Sequence, residues 1–228
     1  MKKAIRLTAI LVLGWCLAGC STTYTVKVNG YTEPGAQAQV RPGASFFVME
    51  NPDAKNPLLD KEIKEKLDKL LITHGYPVTT FEKADFYLFF KYGMGEPRSV
   101  SVTVPDYYGG IGWGMGYGGY GWGWGGPGFY VGMPLGGYSA DVSPLYDRWL
   151  QLTVVEGNAY RTQKLSKPVW VGEAHSLGSS SDLSTVLNFL LVANFKEFGK
   201  NTGKAVTKEI NSQDPEAASL SWDGAWKK

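Results

Sequence analysis

Cysteine, histidine and charge are all scarce in this 228-residue sequence, and each scarcity removes a class of function. Its two cysteines, Cys16 and Cys20, both stand near the N-terminus, which leaves the body of the chain without a thiol. A disulfide framework, thiol catalysis and a cysteine metal site are thereby excluded. Only two histidines occur, His74 and His175, and neither belongs to an H-E-x-x-H pattern. No carboxylate cluster takes their place, so neither a metal nor another cofactor is expected. Charged residues make up 19% of the chain and aromatics 14%, a balance that fits a folded core better than general disorder. The formal charge is +2, but Lys2, Lys3 and Arg6 supply three of the positive charges, and the chain from Cys20 onward carries −1. With no basic patch beyond residue 19, nucleic acid is not an expected partner.

What the N-terminus does have is a leader. Met1 to Arg6 is basic, Leu7 to Leu17 is apolar, and Leu17-Ala18-Gly19-Cys20 follows with small residues at a cut site. The apolar run is shorter than the roughly 20 residues needed to span a bilayer. This end resembles bacterial lipoprotein signal sequences. The resemblance implies removal of residues 1–19, diacylglyceryl attachment to the Cys20 sulfur and acylation of the new amino group. The alternative is a plain secretory signal in which Cys20 falls at the cut by chance. Two or more acyl chains anchor a protein stably, where one does so only marginally. Ser21 after the cysteine favours the outer membrane, with the domain facing the periplasm. Membrane attachment through this anchor is therefore the first expected partnership.

Residues 20–23 read as the lipidated cysteine and a tether, residues 24–203 as one domain, and residues 204–228 as a flexible tail. Within the domain, Tyr24, Val26 and Val28 alternate with polar residues as a strand, and Ser45 to Met49 reads as a second. A loop rich in Pro, Gly, Gln and Ala separates them. Asn56 suits an N-cap with Pro57 at the first helical position, and Leu59, Ile63, Leu67, Leu70 and Leu71 form one apolar stripe. Gly75 is placed to end that helix, and His74 sits in its last turn, where an imidazolium would meet the negative end of the dipole. Asp85 to Tyr92 is a strand apolar on both faces, hence covered on both sides. Later come a strand over about residues 148–156, a polar loop from Gly157, and a strand over residues 168–175. A second helix follows with the stripe Leu183, Val186, Leu187, Leu190, Leu191, Phe195 and Phe198, ended by Gly199. The predicted fold is α+β: an antiparallel sheet of about four to five strands with two amphipathic helices on one face.

Between the strands runs a long insert, residues 107–137, with glycine at about every second position. Its aromatics are candidate contact residues: Trp113, Tyr117, Tyr120, Trp122, Trp124, Phe129 and Tyr130. One reading is a low-complexity loop tolerated on the surface. The other is a contact element, because tryptophan and tyrosine combine an apolar body with a polar tip that suits membrane interfaces and sugar rings. The partners it would meet are envelope polysaccharide, lipid or another envelope protein. Hairpin loops ordinarily run about 2–5 residues, so an excursion of this length calls for its own explanation.

Asn56-Pro57-Leu58-Leu59 opening a helix, the strand from Asp85 to Phe90, the Gly/Tyr/Trp insert and Pro168-Val169-Trp170-Val171-Gly172 occur together here. In combination they are similar to the bacterial lipoproteins grouped as domain of unknown function 4136. The resemblance covers about Ser45 to Gly203 and implies an envelope lipoprotein with an α+β domain and no assigned activity. The stretch before Ser45 departs from the pattern.

Catalytic signatures are thin. Gly116-x-Gly118-x-x-Gly121 satisfies a dinucleotide fingerprint in spacing, but no strand precedes it and no helix follows to hold a pyrophosphate. Gly199 to Lys204 resembles a phosphate-binding loop one residue short, and it follows a helix instead of a strand. His175, Ser176 and Asp182 have the residue types of a triad without a nucleophile elbow around them. The reading is therefore a non-enzymatic binding or structural component of the envelope, with no catalytic residues assigned. An envelope hydrolase acting on glycan or peptidoglycan is the alternative.

Overall fold

The computed structural model describes residues 22–34, 40–51, 54–105, 138–163 and 167–221. Seven strands and four helices alternate along it. They are β1 (Thr23–Thr32), β2 (Phe46–Val48), α1 (Pro57–Thr73), β3 (Phe86–Met94), β4 (Arg98–Pro105), β5 (Tyr138–Glu156), α2 (Gly157–Gln163), β6 (Pro168–Gly178), α3 (Leu183–Phe195), β7 (Val206–Asn211) and α4 (Pro215–Leu220). The chain divides into two units, one comprising Met1–Pro97 and Tyr146–Lys228, the other Arg98–Leu145. The smaller unit is an antiparallel ribbon in which β4 pairs with the start of β5, from Arg98 opposite Leu145 to Pro105 opposite Tyr138. Residues 106–137 join its strands, and the glycine-rich insert over residues 107–137 lies outside the described residues.

In the larger unit the fold is α+β as expected, with a wider sheet than four to five strands. Its six strands run in the order β2-β3-β5-β6-β1-β7, antiparallel throughout except for the parallel pair β2 and β3. The extra width comes from β7. Residues 206–211, expected to belong to a loose tail, pair with β1 from Val28 opposite Val206 to Thr23 opposite Asn211. Ile210, Ala217 and Leu220 are buried, so β7 and α4 are part of the core. Alternation in VTKEIN supplies only two large apolar side chains, which is why it reads as polar. Another polar stretch also proves regular: Gly157, expected to begin a loop, opens α2.

Strand alternation sorts the side chains into two layers. Val26, Val28, Phe46, Val48, Phe86, Leu88, Phe90, Leu150, Leu152, Val154, Trp170, Ala174 and Ile210 face one continuous core with α1, α3 and α4. Helix α1 is built as the sequence dictates. The Asn56 side chain accepts a hydrogen bond from the Leu59 amide at 3.2 Å, Pro57 occupies the first turn, and Gly75 ends the helix at φ +81°. Ile63, Leu67, Leu70 and Leu71 are its buried stripe. Helix α3 departs from the amphipathic expectation, because every residue from Val186 to Phe195 is buried between the sheet, α1 and α4. A helix enclosed this way needs apolar residues all round, as a surface helix does not.

Gly172 shows how tightly α3 is seated. A Cβ there would lie 2.2 Å from Trp170 and 2.3 Å from the Asn194 amide oxygen. The Trp170 indole N–H donates to the Lys200 carbonyl at 3.0 Å, and its ring meets Phe198 edge-on at 4.8 Å. Arg148, also buried, clamps the start of α3 to the sheet. It donates to the Ser176 carbonyl at 3.1 Å and the Ser180 carbonyl at 2.9 Å, with Ser176 Oγ at 3.2 Å. Its partners are all neutral, and burial pushes the guanidinium pKa downward.

Tyr87 and Phe89 point to the other side of β3, as the two-sided apolar pattern required. There they meet Phe47, Phe81 and Tyr160 of α2 in a small second cluster.

Candidate functional site

The second cluster adjoins a concavity of the larger unit. This cleft of about 610 Å³ is lined by Arg41, Pro42, Gly43, Ala44, Asp85, Phe86, Glu156, Asn158 and Arg161. Helix α2 begins against the backbone that precedes β3. The Gly157 amide donates to the Asp85 carbonyl at 2.7 Å, and a Cβ at Gly157 would lie 2.4 Å from the Ala84 carbonyl oxygen. Glycine is needed for that close approach. One turn later, Arg161 Nη1 donates to the carbonyls of Ala84 at 2.8 Å and Phe81 at 3.2 Å, and to Tyr87 Oη at 3.1 Å. The guanidinium also lies 5.8 Å from the centre of the Tyr87 ring.

Across the cleft, Asp85 Oδ2 accepts from Ser45 Oγ at 2.7 Å and from the Ser45 amide at 2.9 Å. The Asp85 amide returns a bond to Ser45 Oγ at 3.0 Å. These hydrogen bonds hold the Asp85 carboxyl below the usual carboxylate range, the Ser45 hydroxyl contributing most. A base so stabilised is a poor proton acceptor near neutral pH, and Ser45 Oγ is engaged with it. The walls thus carry two guanidinium groups and two carboxylates, an arrangement suited to reversible binding of a polar ligand that both donates and accepts hydrogen bonds.

A smaller cavity of about 240 Å³ lies beside α1, lined by Glu50, Asn51, Ala54, Pro57, Asp60, Lys61, Lys64 and Phe90. Asp60 accepts the Tyr92 hydroxyl, and burial, more than this bond, pushes the Tyr92 phenol pKa upward. Lys64 pairs with Glu50 at 2.5 Å.

The residues singled out from the sequence fare differently. Cys20 and the aromatics Trp113, Tyr117, Tyr120, Trp122, Trp124, Phe129 and Tyr130 lie outside the described residues. His74 caps the end of α1 with Nε2 3.0 Å from Glu216 and its ring against Phe195. His175, Ser176 and Asp182 are not brought together. His175 sits on the face of β6 away from the core, with Nδ1 3.3 Å from Asp147. Ser176 points the opposite way and donates to the Thr25 carbonyl at 3.0 Å. Asp182 caps α3, accepting from the Thr185 amide at 3.1 Å. Alternation along a strand forces neighbours such as His175 and Ser176 to opposite faces, so these residue types do not form a triad here. The segment from Gly199 is a turn, with the Thr202 amide donating to the Gly30 carbonyl at 3.0 Å. Among the described residues no group of three or more His, Cys, Asp or Glu converges on a metal position. No described helix is long and apolar enough to cross a membrane.

The family model described as "Domain of unknown function (DUF4136)" matches residues 24–198. No curated protein matches the chain. Among solved structures, a PDZ domain protein from Parabacteroides distasonis is 10% identical with a TM-score of 0.47, over 83% of this chain and 39% of that one. This chain therefore spans about two fifths of that protein. PelC from Paraburkholderia phytofirmans, solved as a dodecamer, is 13% identical with a TM-score of 0.39, over 78% and 99% of the two chains. A DUF4136 family protein from Bacteroides thetaiotaomicron is 16% identical with a TM-score of 0.35, over 77% and 92%.

Proposed function

Given that the chain belongs to the DUF4136 family, we propose that it is an outer-membrane-anchored lipoprotein whose periplasm-facing domain is a non-enzymatic binding or structural component of the bacterial envelope. The observation that carries this reading joins leader to fold. The Leu17-Ala18-Gly19-Cys20 sequence ends two residues before Thr22, whose carbonyl accepts the Ser212 amide at 2.9 Å. Strand β1 begins at the next residue. A cut before Cys20 thus frees the whole fold, whereas a cut a few residues later would remove part of the sheet.

The insert supplies the contact chemistry. The aromatics between Trp113 and Tyr130 combine apolar bodies with polar tips, and they meet envelope polysaccharide, lipid or another envelope protein. The hydrolase alternative gains no support from His175, Ser176 and Asp182, which occupy three separate environments. Changing Cys20 to Ala should move the protein from the membrane fraction to the soluble one; unchanged fractionation would sink the anchor. Deleting Gly109 to Gly137 should preserve the fold and lower retention on peptidoglycan or lipid vesicles. Equal retention would remove the insert from the reading.

A further inference from the structure

The register of the sheet places three chain positions at one end of the larger unit. Antiparallel pairing sets Lys27 opposite His175 and Trp149 opposite His175, so β1 and the part of β5 from Tyr146 onward both start at the end where β6 finishes. Gly93 opposite Trp149 puts the end of β3 there as well. The start of β1, the exit of the chain at Pro97 and its return at Tyr146 therefore share this end. Neighbouring strands lie about 4.8 Å apart, so β1 and β5 are separated laterally by only about 10 Å.

Only Ser21 separates Cys20 from hydrogen-bonded Thr22. Two residues reach about 7 Å at full extension. If Cys20 carries acyl chains in the bilayer, this end cannot stand off from the headgroups by more than that. Two of the exposed large apolar side chains of the domain are found here: Leu177, 60% exposed near the end of β6, and Met94, 39% exposed at the end of β3. Tyr31, by contrast, is exposed near the other end of β1.

We propose that this end is a membrane-docking surface, seated on the phospholipid headgroups of the bilayer that holds Cys20, with Leu177 and Met94 as apolar contacts. The strands then stand away from the membrane. The eleven residues of β6 span about 33 Å, which carries the cleft of Arg41, Asp85, Glu156 and Arg161 to the far end. Bilayer and cleft occupy opposite poles, and a ligand in the cleft is met from the periplasmic space.

The proposal rests on lipidation of Cys20, and its test separates the two. The lipidated full-length protein is reconstituted in phosphatidylethanolamine and phosphatidylglycerol vesicles with a single introduced thiol bearing an environment-sensitive dye. Leu177→Cys and Gln213→Cys report the proposed membrane end, and Lys167→Cys reports the far end. With headgroup-spin-labelled lipid, dyes at 177 and 213 should lose most of their fluorescence and the dye at 167 almost none. Gln213 is exposed on a turn, so its variant keeps the test informative if Leu177→Cys fails to fold. Equal quenching at both ends in vesicle-bound protein overturns the orientation and leaves the anchor intact. Protein that never floats with the vesicles overturns both.

Discussion

Stopping the chain after Gly203 removes β7 and α4, and the structure sets the cost. Ile210 and Leu220 are buried to 1% and 3% exposure, and burying such a side chain is worth about 1.5–3 kcal/mol. Together they contribute about 3–6 kcal/mol. The pairs Lys196–Asp214 at 2.9 Å and Lys208–Glu197 at 2.5 Å are partly exposed and add at most about 1 kcal/mol each. Domain stabilities are about 5–15 kcal/mol, so the truncation should remove a large share of the total. With a urea dependence of about 1–3 kcal/mol per molar, the midpoint should fall by about 1 M or more. Far-UV circular dichroism during urea unfolding measures this, and a chain stopped at Ser221 isolates the contribution of β7 and α4. Ile210→Ala alone should cost about 2–5 kcal/mol. If stopping at Gly203 and stopping at Ser221 give the same midpoint, residues 204–221 are a tail and their assignment to the core is wrong. The family match ends at residue 198, so neither element falls within the matched range.

Three further outcomes are expected. Gly172→Ala forces a methyl into the space of Trp170 and Asn194, and should cost about 1–3 kcal/mol in thermal or urea unfolding. Trp170→Phe in the same chain should recover part of it, so strict additivity would refute the contact. Asp182→Ala removes the cap of α3 and should cost about 1 kcal/mol at neutral pH. Hydrogen bonds from Thr185 hold the Asp182 carboxyl below its ordinary value, so its contribution is present above the unfolded pKa of about 3.9 and is lost as pH falls through the folded one. The variant and parent curves should converge in acid; a gap that widens there contradicts the assignment. Gly157→Ala should cost about 1–3 kcal/mol by pushing α2 off the Ala84 carbonyl, and a fully stable variant with α2 undisturbed would refute the close approach.

Local signals carried the parts of the fold that local chemistry decides. The Asn56 cap, Pro57, the Ile63–Leu71 stripe and the Gly75 stop are all satisfied within α1, so its limits could be read directly. The two-sided strand β3 was legible because Tyr87 and Phe89 cannot face water beside Phe86 and Leu88. The cap of α3 is Asp182, directly after the run Ser179-Ser180-Ser181, whose hydroxyls make the start of the helix ambiguous in the sequence. Strand β7 was hidden because Lys208 reaches Glu197 with its charge, leaving Val206 and Ile210 as a thin apolar pattern. Asp214-Pro215, an N-cap followed by proline, opens α4, a local signal that the expected flexible tail over residues 204–228 overlooks. The cleft was illegible for another reason. Arg41, Asp85, Glu156 and Arg161 come from separate stretches, and only the pairing of β2, β3 and β5 gathers them.

The place of β1 in the sheet also decides how the domain bears a load. A pull on the N-terminus enters at Thr23, on a strand bonded to β6 on one side and β7 on the other. Because ladder hydrogen bonds lie across the strands, tension along β1 shears both ladders at once instead of peeling them bond by bond. An edge strand in the same position would set only one ladder against the same pull. The chain therefore joins the rest of the protein to whatever holds its first residues through the attachment a sheet offers that is hardest to tear.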